Sequence, residues 1–195
     1  MTNHYYLMRH GESQANRANL IISDPSVGCT LYGLTDLGRQ QVRESAKKSG
    51  LGSGTVVVCS DFLRTRETAK LAKETLRSQS LLVEEGLRER FFGKLEGDSG
   101  RRYEELWAHD NVDSIHTKFG AESPLHLASR LKRTMERLEQ QFQNTTILLV
   151  SHGDTLRFLQ LAMAGRPLTE HLQIALFKPA EIRALGDMPA GPLKL

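Results

Sequence analysis

Two histidines each precede a glycine and follow a short apolar run. They are His10 in Arg9-His10-Gly11-Glu12-Ser13 and His152 in Ser151-His152-Gly153-Asp154. Between them in the chain, Arg64 follows Ser60-Asp61 within about a helical turn, and Glu89 sits in Leu87-Arg88-Glu89-Arg90. These residue types suit one chemistry. The planar fork of arginine donors matches phosphate oxygens two at a time. A neutral imidazole near pH 7 is a competent nucleophile towards phosphorus and can carry a covalent group that water later removes. A carboxylic acid such as Glu89 can protonate the departing oxygen. Gly11 and Gly153 would let the backbone approach a ligand closely at the start of a helix, where amide donors and partial positive charge favour anions.

Such residues must be brought together by the elements that carry them. Short apolar runs alternate with segments of helical period. Tyr5 to Met8, Thr55 to Cys59, Leu81 to Val83 and Thr146 to Val150 read as strands, the last apolar on both faces. Helices are expected after the Thr35 cap, with Leu34, Leu37, Val42 and Ala46 on one stripe, and through Phe62, Thr65, Ala69, Ala72 and Leu76. Ser123 and Pro124 start another, with Leu125, Ala128, Leu131, Met135, Leu138 and Phe142 inward; Thr155 to Ala164 forms the last and stops at Gly165. Leu172 to Phe177 and Glu181 to Leu185 read as a terminal strand pair, and the irregular stretch 97–120 as a small cap-like insertion. The pattern predicts a three-layer α/β/α fold with a largely parallel central sheet, as one domain over residues 1–195. In such sheets ligands bind outside the carboxyl ends of the strands, where both histidines, Arg9 and Arg64 fall.

Composition narrows the function classes. The chain has 195 residues, 39% apolar and 25% charged, which excludes a disordered tail or a disulfide-stapled peptide. A net charge of +3 gives no argument for nucleic acid, and Cys29 and Cys59 show no metal-ligand spacing. No apolar run approaches the roughly 18 residues of a membrane span, and residues 1–10 lack the pattern of a secretion signal. A cytoplasmic protein is expected.

In chain order the motifs are Arg9-His10-Gly11-Glu12-Ser13 with Asn16, then Leu34-Thr35-xx-Gly38 and Ser60-xxx-Arg64-xxx-Thr68-Ala69. Leu87-x-Glu89-xxx-Gly93-xx-Glu96-Gly97, Glu122-Ser123 and Ser151-His152-Gly153 follow. Together they resemble the histidine phosphatase superfamily, the phosphoglycerate mutase-like proteins, from about residue 5 to residue 165. The resemblance implies a phosphoglycerate mutase-like fold and a nucleophile at His10 that becomes phosphorylated. It also implies a phosphate pocket of Arg9, Arg64 and His152 with help from Asn16, an acid/base role for Glu89, and no metal or other cofactor. Only 62 residues separate Glu89 from His152, which resembles the compact phosphatase branch; family mutases carry a longer insertion there. The segment Leu20 to Gly33 does not match the mutase pattern.

The resulting expectation is a metal-independent phosphomonoesterase acting on a small phosphorylated substrate, phosphoproteins included. The alternatives are a phosphoglycerate-type mutase and a catalytically idle module that binds phospho-ligands. Around this centre, Glu12 and Glu96 are expected in structural ion pairs, and Trp107 in cap packing with Tyr103 and Leu106. Arg88, Arg90, Lys94, Arg101 and Arg102 read as a mostly solvated basic face. His4, His109, His116, His126 and His171 are expected in surface or capping roles, without forming a metal site.

Overall fold

A computed structural model describes residues 1–187. Its sheet runs in the order β3-β2-β4-β1-β5, with β1 His4–Arg9, β2 Val56–Cys59, β3 Leu81–Val83, β4 Thr146–Ser151 and β5 Ile182–Ala184. The first four strands are parallel, and β5 closes the edge antiparallel to β1. The four strands predicted from apolar runs are all present. The terminal pair is only half so: Ile182–Ala184 is a strand, whereas Leu168–Gln173 is a 3-10 helix. Residues 188–195 of the expected domain lie outside the described residues.

Alternation along the strands sends side chains to two cores. Leu7, Val56, Val58, Ile147 and Leu149 face one side, where they meet α6 (Pro124–Gln141) and α7 (Gly153–Ala164) through Leu131, Met135, Leu156 and Leu159. Met8, Val57, Cys59, Leu148 and Val150 face the other. There they meet α3 (Asp36–Lys48) and α4 (Leu63–Leu76) through Val42, Ala46, Ala69 and Ala72. Each such side chain, removed from water, contributes roughly 1.5–3 kcal/mol for the larger aliphatics. Short helices α1 (Gln14–Arg17) and α2 (Pro25–Gly28) and the longer α5 (Tyr103–Asp110) lie in the connections.

Two residues fall off the expected helical stripes. Gly38, Val42 and Ala46 form the buried row of α3, and Leu37, one position off that row, is half exposed. Leu125, in the first turn of α6, is likewise exposed beside the buried row of Pro124, Leu127, Ala128 and Leu131. The predicted caps hold: Thr35 accepts from the Gly38 amide, Ser123 accepts from that of His126, and α7 stops at Gly165 with φ 65°.

This topology creates the site. The chain leaves β1 towards α3 on one face and leaves β4 towards α7 on the opposite face, so a crevice opens between two adjacent parallel strands at their carboxyl ends. Arg9 pairs with Ser151 across that join, and the His10 amide donates to the Ser151 carbonyl at 3.0 Å. The next residue on each strand is a histidine. Register alone makes His10 and His152 neighbours.

Candidate active site

The two imidazoles meet edge to face with ring centroids 5.3 Å apart. His10 is 3% exposed and its Nδ1 lies 2.8 Å from the Gly11 carbonyl, while the Arg64 Nε–H donates to its Nε2 at 3.1 Å. A guanidinium only donates, so Nε2 must carry a lone pair and Nδ1 the proton. That is the tautomer a nucleophilic histidine needs. Burial, and then the Arg64 and Arg9 charges, hold His10 well below the usual imidazole range, so it stays neutral.

His152 is fully buried and caps α7; burial and the Arg64 charge hold it neutral as well. Its Nε2 lies 2.9 Å from Ser60 Oγ, and its Nδ1 is buried without a partner among the described residues. Arg64 donates from Nη2 to the Ile22 carbonyl, and Arg9 from Nη1 to the Phe177 carbonyl; Arg64 Nη1 and Arg9 Nε are buried without partners. Leaving a buried polar group unpaired costs about 1–3 kcal/mol. Three such nitrogens near the His10 ring make a cradle suited to the oxygens of a phosphoryl group.

The supporting bonds explain the spacing of the motifs. Thr68 Oγ1 accepts from the Gly11 amide at 3.1 Å and donates to the Arg64 carbonyl at 2.7 Å, tying the first loop to α4. A Cβ on Gly11 would stand 2.5 Å from the Gly38 carbonyl oxygen, and one on Gly38 would stand 2.0 Å from that of Glu12. Gly11 therefore serves loop-to-helix packing and not the expected approach to a ligand. Of the two motif glycines, Gly153 borders the cavity. No eight-residue helix follows Gly11; the four-residue α1 begins after the Ser13 cap.

Glu89 enters from the opposite wall. Its Oε1 accepts from the Arg90 amide at 3.1 Å and from Thr155 Oγ1 at 3.0 Å, which leaves Oε2 for the cavity. Burial and then the Asp154 carboxylate push Glu89 up from its ordinary range, favouring the protonated acid. Arg130 holds this turn by donating to the Gly86, Arg88 and Glu89 carbonyls, and is itself paired with Glu122 at 2.8 Å. This clasp gives Glu122 of the Glu122-Ser123 motif a structural role.

Arg9, Asn16, Asn19, Glu89, Phe92, Tyr103, Trp107 and Asp154 line one cavity. Asn16 Oδ1 is consumed by the Ser13 amide and hydroxyl, so its amide nitrogen is what remains for a ligand. Trp107 packs in the cap, as expected, and also forms cavity wall, with Nε1 donating to Asp154 at 2.8 Å. Asp154, Arg130 and Thr155 carry no motif signal of their own; only the position of Asp154 directly after His152-Gly153 marks it.

Several expectations fail. Arg90 is fully buried, bidentate to Asp110 at 2.6 and 2.8 Å; Arg88 pairs with Asp61, and Arg102 with Asp98 and Glu105, so no continuous solvated basic face exists. His171 is buried, stacked on Phe158 at 4.9 Å and lowered to about 4 by burial. Its sequence context gives no hint that it lies beneath α5. Glu96 accepts from the Ser23 amide and hydroxyl, and Glu12 from the Thr35 hydroxyl, so both make hydrogen bonds in place of ion pairs. Of the histidines weighed for metal, His116 bonds Asp110 and His126 bonds Glu122. Among the described residues no group of three or more His, Cys, Asp or Glu side chains is placed to hold a metal ion. No helix among the described residues is long and apolar enough to cross a membrane.

Known proteins resemble this chain in sequence and in fold. The family description of the histidine phosphatase superfamily (branch 1) matches residues 5–191. A protein of Photorhabdus laumondii named probable phosphoglycerate mutase GpmB is 34% identical over 169 residues, covering 83% of this chain and 75% of that one. The α-ribazole phosphatase of Shigella flexneri superposes with TM-score 0.72 at 27% identity, covering 93% of this chain and 89% of that one. A mycobacterial glucosyl-3-phosphoglycerate phosphatase shares the fold, with TM-score 0.77 at 19% identity over 96% and 98% of the two chains. By sequence and by fold, this chain belongs to the histidine phosphatase superfamily, branch 1.

Proposed function

We propose that the protein is a metal-independent phosphomonoesterase working through a phosphohistidine on His10. The observation that carries this reading is the His10 tautomer: the Arg64 Nε–H at 3.1 Å requires a lone pair on Nε2, in a ring kept neutral by its surroundings. A phosphate entering the cradle takes over donors from Arg64, Arg9 and His152 and frees that lone pair. Nε2 then attacks phosphorus as the ester P–O bond breaks, and the Glu89 Oε2 proton passes to the departing oxygen. In the second half the Glu89 carboxylate removes a proton from water, water oxygen bonds to phosphorus, the P–N bond breaks, and phosphate leaves. Two guanidinium groups and the His152 ring supply the electrostatic stabilisation that a metal supplies elsewhere.

Assaying p-nitrophenyl phosphate and a panel of small alkyl phosphates with and without excess EDTA tests this. Unchanged phosphate release in chelator is expected. Loss on chelation with recovery on adding a divalent ion would overturn it. The GpmB relatives favour a second reading, a phosphoglycerate-type mutase. That reading requires isomerisation of 3-phosphoglycerate dependent on a bisphosphoglycerate primer, in place of net phosphate release.

A further inference from the structure

Beyond the phosphoryl cradle, the cavity is lined by a residue with a buried carboxylate oxygen that no step of the reaction touches. Asp154 is 4% exposed and lines the cavity beside Glu89 and Arg9. Its Oδ2 accepts from Trp107 Nε1 at 2.8 Å, while Oδ1 is buried with no partner among the described residues. The nearest cation is Arg90, whose Nη1 stands 4.0 Å away and is already engaged with Asp110 at 2.6 Å. Arg157, one turn along α7, lies over the Trp107 ring at 5.6 Å and makes no hydrogen bond to Asp154. A buried carboxylate oxygen in this state wants a donor. It also repels a second carboxylate, since like charges brought together at a desolvated contact disfavour binding.

The adjoining wall is aromatic. Tyr103 and Trp107 stack with centroids 5.4 Å apart and planes 12° from parallel, and both line the cavity as an apolar wall for a carbon skeleton. We infer that the leaving group is a polyol or sugar whose hydroxyl donates to Asp154 Oδ1 while its carbon face lies on the Tyr103–Trp107 wall, and that carboxylate-bearing phosphate esters are selected against. Asp154 is then the specificity-determining residue of the leaving-group side. The inference rests on the phosphomonoesterase reading and goes beyond it, because it names the substrate class and disfavours phosphoglycerate.

Three esters differing at one carbon test it: glycerol 3-phosphate (terminal CH2OH), 1,2-propanediol 1-phosphate (terminal CH3) and 3-phosphoglycerate (terminal carboxylate). Their ester oxygens are alike, so any effect on proton donation by Glu89 largely cancels in ratios of kcat/KM. The wild-type protein should prefer glycerol 3-phosphate over the methyl analogue by at least about tenfold, because an unpaired buried acceptor costs about 1–3 kcal/mol, and over 3-phosphoglycerate by more. Asp154→Asn, which can still accept from Trp107, should shrink the preference over 3-phosphoglycerate by about tenfold or more. Wild-type kcat/KM for 3-phosphoglycerate equal to or above that for glycerol 3-phosphate would overturn the inference. So would ratios unmoved by Asp154→Asn in a variant with the wild-type melting temperature. If the variant does not fold, the wild-type series alone decides. Release of phosphate from p-nitrophenyl phosphate with no preference among the three sinks only the substrate class; no release from any ester sinks the phosphomonoesterase reading itself.

Discussion

The phosphoryl cradle and the cavity wall that carries Glu89 and Asp154 are built on different principles. Arg9, His10 and His152 stand at the ends of two adjacent strands, and Arg64 in the first turn of a helix that follows a third. Their positions are set by register, and their protonation by burial among fixed charges. The other side is assembled from the 3-10 turn before Glu89, from α5, which brings Tyr103 and Trp107, and from the first turn of α7, which brings Asp154. There the anchoring runs through side chains: Arg130 clasping the 86–89 turn, Thr155 holding Glu89, and Trp107 bonding Asp154. On the proposed reading, the sheet fixes the chemistry and the attached wall sets what the chemistry is applied to.

If that division is right, substitutions on the phosphoryl side should cost rate on every substrate. Those on the other side should cost rate selectively. The largest loss is expected for His10→Ala, at least about 10⁴-fold in kcat on all phosphate esters, since no neighbour can supply a nucleophile. Near-wild-type turnover of any ester would break the comparison at its root.

Glu89→Gln comes next and should discriminate by leaving group. Proton donation is worth about 10²–10⁴-fold for a basic alkoxide and far less for p-nitrophenolate. Single-turnover phosphorylation rates read this directly, because the water-activating step is common to all substrates and would mask it in steady state. An equal loss on both ester types would mean that Glu89 only positions the substrate.

A smaller, uniform loss is expected for Ser60→Ala. If the Ser60 hydroxyl donates to His152 Nε2, then Nδ1 bears the proton and can donate to a phosphate oxygen. Removing the hydroxyl frees the tautomer choice, and kcat/KM should fall about tenfold on alkyl and aryl esters alike. Nitrogen-15 NMR of the wild-type imidazole should show protonated Nδ1 and bare Nε2; the opposite tautomer would reverse the assignment.

The smallest effect concerns pH. The phosphorylation step needs protonated Glu89, so its rate on alkyl esters declines as pH rises through the Glu89 value, which Asp154 helps to raise. Asp154→Asn removes a negative charge and lets Glu89 ionise earlier, with Arg64, Thr155 and the Arg90 amide still in place. The alkaline limb should therefore move to lower pH. The acid limb set by His10 should stay well below pH 6.5 in both proteins. An alkaline limb that stays fixed or moves up would show that Asp154 does not act on Glu89.

The same division governs what could be read from the chain. Strand ends followed by Arg-His-Gly and Ser-His-Gly are local patterns, and parallel pairing turns local patterns into a site, so the sheet and the residues of the cradle were legible. Gly11 was legible as necessary but not for its reason, since a Gly11–Gly38 contact depends on where α3 docks. Arg90 and His171 read as surface residues because charge normally marks solvent; only tertiary pairing with Asp110 and stacking on Phe158 bring them inside. Leu172 to Phe177 has strand-like composition, yet Leu168–Gln173 winds as a 3-10 helix and only Ile182–Ala184 reaches the β1 edge. Asp154 is marked only by its place directly after His152-Gly153. Its meaning comes from Trp107, 47 positions away in the chain.

The central claim is a phosphoryl group held covalently on His10. The protein, and a Glu89→Gln form that should hydrolyse the intermediate slowly, can be mixed with a phosphate ester labelled on phosphorus, quenched in alkali, digested and sequenced by mass spectrometry. The account predicts one phosphate per chain on the peptide containing His10, stable to alkali and lost in mild acid, more abundant in Glu89→Gln and absent in His10→Ala. Turnover with no such adduct in either protein, or with label on His152 in place of His10, would contradict it.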